Sequence, residues 1–399
     1  MKKIFLLAAA VIFALNATAI EKINPKEVDL DAKRLEKADE LINKSIADKV
    51  LPGAVLAIVK DGKLAYLKAY GNKSVYPKVE PMTTNTIFDL ASCSKVVGTA
   101  MSMAHLLESG GYRLTDPVSM YLPKFQPYVD PKTGEKTVIR IIDLLTHSSG
   151  LPAYAAPEDV IKKMGKADPD LLMDYICTLK RIYKPTTDFV YSCLNFITLQ
   201  NILQKITGQK LCDYAQENIF DVLGMTSTTY MPKVKRPDLM SRVAPTEKQP
   251  NGSVLLGEVH DPLARIMNFG NSGNAGVFSC AEDLAALAAA LMEDGEYEGK
   301  HVLGKLTIER MSKVPVGFEH IGRSLGWDNY SDYSSCIGNI LSRTRTINHT
   351  GYTGPSFVVD LENDIAVILL AHRVHPADKG SAVRLRAQIA NIVAGAVID

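Results

Sequence analysis

The 399 residues are 46% hydrophobic and carry 45 Lys plus Arg against 44 Asp plus Glu, a formal net charge of +1, so the chain can bury a full core. That balance offers no positive excess to nucleic acid or to an anionic membrane surface, and it points to a small-molecule partner. Six cysteines scattered at positions 93, 177, 193, 212, 280 and 336 form neither a compact disulfide framework nor a zinc-ligand spacing.

Two lysines, an apolar run over residues 4–15 and the small pair Ala17 and Ala19 open the chain. This is the pattern of a secretory signal peptide, removed near Ala19, which would leave residues 20–399 as one domain in the periplasm or outside the cell. The apolar run falls short of the roughly 20 residues needed to span a bilayer, and no later stretch supplies a span, so no stable membrane insertion is expected. Residues 31–49 place Leu35, Ala38, Leu41, Ile42 and Ile46 on one side and predict an amphipathic helix. Residues 54–59 and 64–70 read as strands of a hairpin turning at Asp61-Gly62. Helical periodicity follows over 92–107, 139–145, 171–179, 194–206, 211–223 and 281–292. Residues 346–352, 357–360 and 365–371 read as strands again, and 377–397 as a closing helix. Strands near both ends with helices between them predict an α+β fold: an antiparallel sheet built from N- and C-terminal segments (residues 50–75 and 345–399) and flanked by helices, with an internal, mostly helical lobe over roughly 90–290.

The chemistry concentrates in three patches. Ser92 and Lys95 form the only Ser-x-x-Lys tetrad, and at helical spacing positions i and i+3 share a face. A serine hydroxyl is a poor nucleophile until a neighbour takes its proton, which a lysine does only when burial or nearby cations hold it neutral. The second patch is Tyr191-Ser192-Cys193 and the third His349-Thr350-Gly351. His372 and His375, in HRVH, lack a nearby third ligand and read as ordinary surface or packing residues, with no metal site expected.

Taken in order, the three patches resemble the signature set of the serine β-lactamase and penicillin-binding-protein superfamily, nearest its class C-like serine hydrolases and esterases. LLTHSSGLP (144–152), Leu223-Gly224-Met225, VFSCAEDLA (277–285) and HTGYTG also look like that family. Order and context set aside two similar tripeptides, Tyr70-Gly71-Asn72 and His320-Ile321-Gly322. The resemblance implies the β-lactamase/DD-peptidase fold, no cofactor, and an acyl-enzyme on Ser92 with Lys95 and Tyr191 passing the proton. It places His349, Thr350 and Gly351 along the substrate and makes the backbone N–H groups of Ser92 and Tyr352 the oxyanion donors. Gly351 is expected to keep a side chain away from the substrate.

Two departures bear on specificity. Cys193 stands where many relatives carry Asn, and a thiol is a poor replacement for an amide that holds both lysine and a substrate carbonyl, which argues against classical β-lactam turnover. Asn274 stands where close-looking members have a histidine. Cys93 and Cys193 are expected as free thiols, Cys193 facing the cleft. The function this implies is an exported serine hydrolase acting on an ester, amide, D-Ala cell-wall peptide or β-lactam. The alternatives are an acyltransferase using the same acyl-Ser92 and a non-catalytic penicillin-binding or sensor protein. The oligomeric state leaves no mark on the sequence.

Overall fold

The structure, a computed structural model, describes residues 20–398; the signal-peptide reading of residues 1–19 lies outside the described residues. Helix α1 (Ala32–Ala47) starts where the Asp31 side chain accepts the N–H groups of Lys33 and Arg34, and it buries Leu35, Ala38 and Ile42. Strands β1 (Gly53–Lys60) and β2 (Lys63–Ser74) form the expected hairpin. Asp61 and Gly62 both take positive φ, 50° and 71°, as a primed turn requires.

β3 (Glu80–Pro81), β4 (Thr346–Thr350), β5 (Ser356–Asp360) and β6 (Ile365–Ala371) complete an antiparallel sheet in the order β4-β5-β6-β1-β2-β3. β1 pairs with β6 from Ala54↔Ala371 to Lys60↔Ile365, so the two ends of the chain meet at its centre. Val55, Ala57 and Val59 face one core while Ala54, Leu56 and Ile58 face another. Both faces are covered, which is why β1 reads as a continuous apolar run rather than an alternating one.

Between β3 and β4 lie α2 (Met101–Glu108), α3 (Ile141–Leu145), α4 (Pro169–Thr178), α5 (Cys193–Thr207) and α6 (Ala281–Met292). α6 packs on one face of the sheet, and α1 with the last helix, α7 (Val383–Ala394), on the other.

Three predicted helices differ from the structure. The Ser92 segment is not regular α-helix: Ala91–Cys93 is a 3₁₀ turn and Lys95–Ala100 a wide π turn before α2 begins. The segment predicted over 211–223 is α-helical only for Leu211–Ala215 and then widens over Gln216–Phe220. The closing helix starts at Val383 rather than 377, because Gly380 at φ 76° breaks the turn and Asp378 is tied to Arg373 and Tyr352 instead.

Candidate active site

Ser92 follows a short strand, Phe88–Asp89, that pairs with Val277–Ser279. The buried Asp89 carboxylate accepts the N–H groups of Ala91 (2.8 Å) and His260 (2.7 Å), while its backbone carbonyl accepts the Thr353 hydroxyl at 2.9 Å. These bonds hold Ala91 at φ 46°, a left-handed conformation that costs a non-glycine residue about 1–3 kcal/mol. The strained turn sets the direction in which Ser92 leaves the strand.

Lys95 is fully buried, and its Nζ has three partners: Ser92 Oγ at 3.0 Å, the Asn274 carbonyl at 2.9 Å and Cys193 Sγ at 3.5 Å. Three acceptors match the three donors of an ammonium. Burial pulls its pKa down, but Cys193 and Tyr191 pull it up and prevail, so it lies above the ordinary lysine value. Tyr191 presents its ring 5.0 Å from Lys95 Nζ, and its hydroxyl has no hydrogen-bond partner among the described residues. Burial raises the Tyr191 pKa, and the downward pull of Lys95 does not overcome it. The resting pair therefore keeps both protons, in contrast to the neutral lysine and acidified tyrosine that base catalysis calls for.

Tyr191 is held from behind by His147 of the LLTHSSGLP segment. The His147 ring centroid lies 4.6 Å from that of Tyr191, and its Nδ1 accepts the Ser192 N–H at 3.0 Å. Burial keeps this imidazole neutral, as an acceptor must be. Tyr333 stacks on Tyr191 at 5.6 Å.

At the end of β4, His349 is buried and its pKa lies well below the ordinary value, through burial and through Arg323 and Lys95. It is a neutral ring. Nδ1 sits 2.9 Å from the Thr350 carbonyl, which assigns the hydrogen to Nδ1 and leaves Nε2 as an acceptor without a partner among the described residues. A Cβ on Gly351 would lie 2.4 Å from the Leu90 carbonyl oxygen. The glycine is thus required by the backbone that leads into the nucleophile. Arg386 of α7 ties this turn down, donating to the carbonyls of Gly351 (2.7 Å) and Gly354 (3.1 Å). The N–H groups of Ser92 and Tyr352 are not engaged in hydrogen bonds among the described residues.

A cavity of about 350 Å³ brings together Ser92, Tyr191, His349, Thr350, Gly351 and Tyr352. Lys95 and Cys193 do not line it and stand behind the serine. Cys193 is a free thiol, as is Cys93, but it faces Lys95 rather than the cleft, and Cys93 points to the His349 carbonyl at 3.5 Å. Burial raises both thiols. At the substituted loop position, Asn274 serves Lys95 with its backbone carbonyl, and its side chain turns to Ser272 and Asp261. His372 and His375 pack against backbone groups, Nε2 of the first near the Lys73 carbonyl (2.7 Å) and Nδ1 of the second near that of Thr246 (2.7 Å). Sequence reasoning did not single out Asp89, His147, Arg323 or Arg386. Asp89, Arg323 and Arg386 signal only as polar residues outside any motif, which does not reveal a site, and His147 lies inside LLTHSSGLP, a segment that resembled the family without assigning it a role.

Residues 38–391 match the family described as Beta-lactamase, and the chain belongs to that family as a serine hydrolase of the β-lactamase and penicillin-binding-protein superfamily. It is 30% identical over 377 residues to an N-acetylmuramyl-L-alanine amidase of Bacillus subtilis, covering 88% of this chain and 84% of the relative. It is 28% identical over 376 residues to a putative D-alanyl-D-alanine carboxypeptidase of Escherichia coli K12, covering 88% and 85%. Among solved structures, EstCE1, a hydrolase with promiscuous acyltransferase activity, shares the fold at a TM-score of 0.70 and 21% identity, covering 91% of this chain and 99% of the other. The octameric penicillin-binding protein homologue from Pyrococcus abyssi does so at 0.69 and 22%, covering 90% and 77%.

Proposed function

We propose that residues 20–399 act as one exported catalytic domain that cleaves an amide, peptide or ester bond through an acyl-enzyme on Ser92. The observation that carries this reading is Lys95 Nζ, fully buried, 3.0 Å from Ser92 Oγ and beside an unpartnered Tyr191 hydroxyl. Once the Lys95–Tyr191 pair has lost one proton, it takes the Ser92 proton as Oγ attacks the carbonyl, and then returns it to the leaving amine or alkoxide. Water attacks the acyl-serine by the same route in reverse. The unused N–H groups of Ser92 and Tyr352 receive the developing oxyanion, and strain at Ala91 together with the Arg386 clamp on Gly351 preorganises them. The names of the amidase and carboxypeptidase relatives favour an alanine-containing cell-wall peptide over a β-lactam, in keeping with Cys193 in place of Asn. No helix of the described residues is long and apolar enough to cross a membrane.

Intact-mass measurement after incubation with a panel of activated esters, D-Ala peptides and penicillins tests this reading. A covalent adduct that maps to Ser92 is expected with at least one of them, and no adduct or turnover with any would refute it. The protonated resting pair also sets a pH dependence. Both pKa values are raised and the active form is the deprotonated one, so kcat/KM for a neutral ester is expected to climb between pH 7 and 9, by up to about tenfold per unit. A profile flat across that interval would show that the proton goes elsewhere.

A further inference from the structure

The two oxyanion donors invoked above, the N–H groups of Ser92 and Tyr352, come from segments far apart in sequence, and both must stand about 2.7–3.1 Å from the oxygen they receive. Their separation is set by the contacts between those segments. The Thr353 hydroxyl on the Asp89 carbonyl is one tie, and His260 supplies another. Its N–H donates at 2.7 Å to the Asp89 carboxylate, the same group that accepts the Ala91 N–H and shapes the turn before Ser92. Its ring stacks on that of Tyr352, centroids 5.7 Å apart at 22°, within the offset-stacked range of aromatic pairs. The imidazole is itself fixed: the side chain is 10% exposed, and Nε2 lies 3.2 Å from a Glu247 carboxylate oxygen. His260 thus touches both halves of the oxyanion site, yet it does not line the cavity.

Tyr352 needs such support, because it is 56% exposed and general packing leaves it loose. Three contacts hold its side chain: the His260 ring, the Arg373 guanidinium 4.4 Å from the ring centroid, and the bond from its hydroxyl to Asp378. Of these three partners, His260 alone also hydrogen-bonds, among the described residues, to the segment leading into Ser92. We propose that His260 is a positioning residue for the oxyanion site, holding the Tyr352 N–H in register with that of Ser92 while touching no substrate atom itself. The inference rests on acyl transfer at Ser92.

Kinetics of His260→Ala and His260→Phe on the substrate that the native protein turns over fastest, together with inhibition by an arylboronic acid, test it. Acylation and deacylation both pass through an oxyanion, so a misplaced donor lowers kcat and leaves KM within about twofold. His260→Ala is expected to lose about 10- to 100-fold in kcat. The boronic acid takes the Ser92 oxygen onto boron, the serine proton passing to the Lys95–Tyr191 pair, and the tetrahedral anion sets one oxygen at the same donors. Its affinity for His260→Ala is expected to fall by a similar factor. His260→Phe keeps a flat ring for Tyr352 and an N–H for Asp89 while giving up Glu247, and it is expected to recover most of the lost kcat. Native kcat or native boronate affinity in a folded His260→Ala protein, a loss confined to KM, or a His260→Phe protein as slow as His260→Ala would overturn the proposal. Should His260→Ala not fold, Tyr352→Ala deletes the exposed partner of the stack and keeps its N–H. Native kcat and boronate affinity in that variant would overturn the proposal equally, and a parallel loss of both supports it. A native protein that turns over no substrate and binds no boronic acid refutes acyl transfer at Ser92 and this inference with it, whereas an active native protein indifferent to His260→Ala refutes the inference alone.

Discussion

Replacing Ser92 with alanine is expected to lower ester or peptide turnover by about four orders of magnitude or more and to remove the covalent adduct entirely. Ser92 is half-buried, and its hydroxyl has one hydrogen-bond partner among the described residues, Lys95. The variant keeps the Asn274 carbonyl and Cys193 as acceptors for the lysine. Losing one of three acceptors costs about 1 kcal/mol, so the melting temperature should move by only a few degrees. Parallel measurement of turnover, intact mass and thermal melting separates a missing nucleophile from a damaged fold. Turnover near the native rate in a folded Ser92→Ala protein would rule out the serine as the nucleophile.

The parts of the fold legible in the sequence are those where periodicity and burial coincide. α6 appears over the residues its apolar run predicts, Ala281–Met292, and the β1–β2 hairpin follows from Asp61-Gly62. The sheet was legible because strand patterns cluster near both ends of the chain, and pairing them across the middle explains why β6 and β1 as far as Val59 carry no polar side chain. The nucleophile turn was not legible. An apolar stripe at Val96, Ala100 and Met103 looks alike whether the backbone winds as 3₁₀, π or α, and two of the three Asp89 bonds that fix the turn before it come from residues distant in sequence, His260 and Thr353. Likewise, the three patches identify the reacting groups but not their charge. His349 is neutral because burial disfavours its charged form and because Arg323 and Lys95 add positive charge nearby. Arg323 lies between Ile321 and Trp327 in a segment with no motif, and only the fold brings its charge to His349.

The coupling between Lys95 and Tyr191 should show most directly in a double-mutant cycle. Lys95→Met, which fills the buried space without a charge, and Tyr191→Phe are each expected to reduce kcat/KM by about 10² to 10⁴. The double variant should be hardly worse than the poorer single one, because a relay broken at one end gains nothing from the other. The physical ground is mutual: Lys95 acts to lower the Tyr191 pKa, and Tyr191 acts to raise that of Lys95. Removing either group therefore changes the protonation of the one left behind. Tyr191→Phe withdraws one upward influence from Lys95, so the residual activity of that variant should rise at lower pH than in the native protein. Its stability should not fall, since the hydroxyl it removes is buried without a partner among the described residues. Rates measured for all four proteins on one neutral ester across pH 6 to 10 give both the coupling and the shift. Losses that multiply independently, with the pH profile of Tyr191→Phe unmoved, would mean that the two groups act separately and that the proton leaves Ser92 by a single residue.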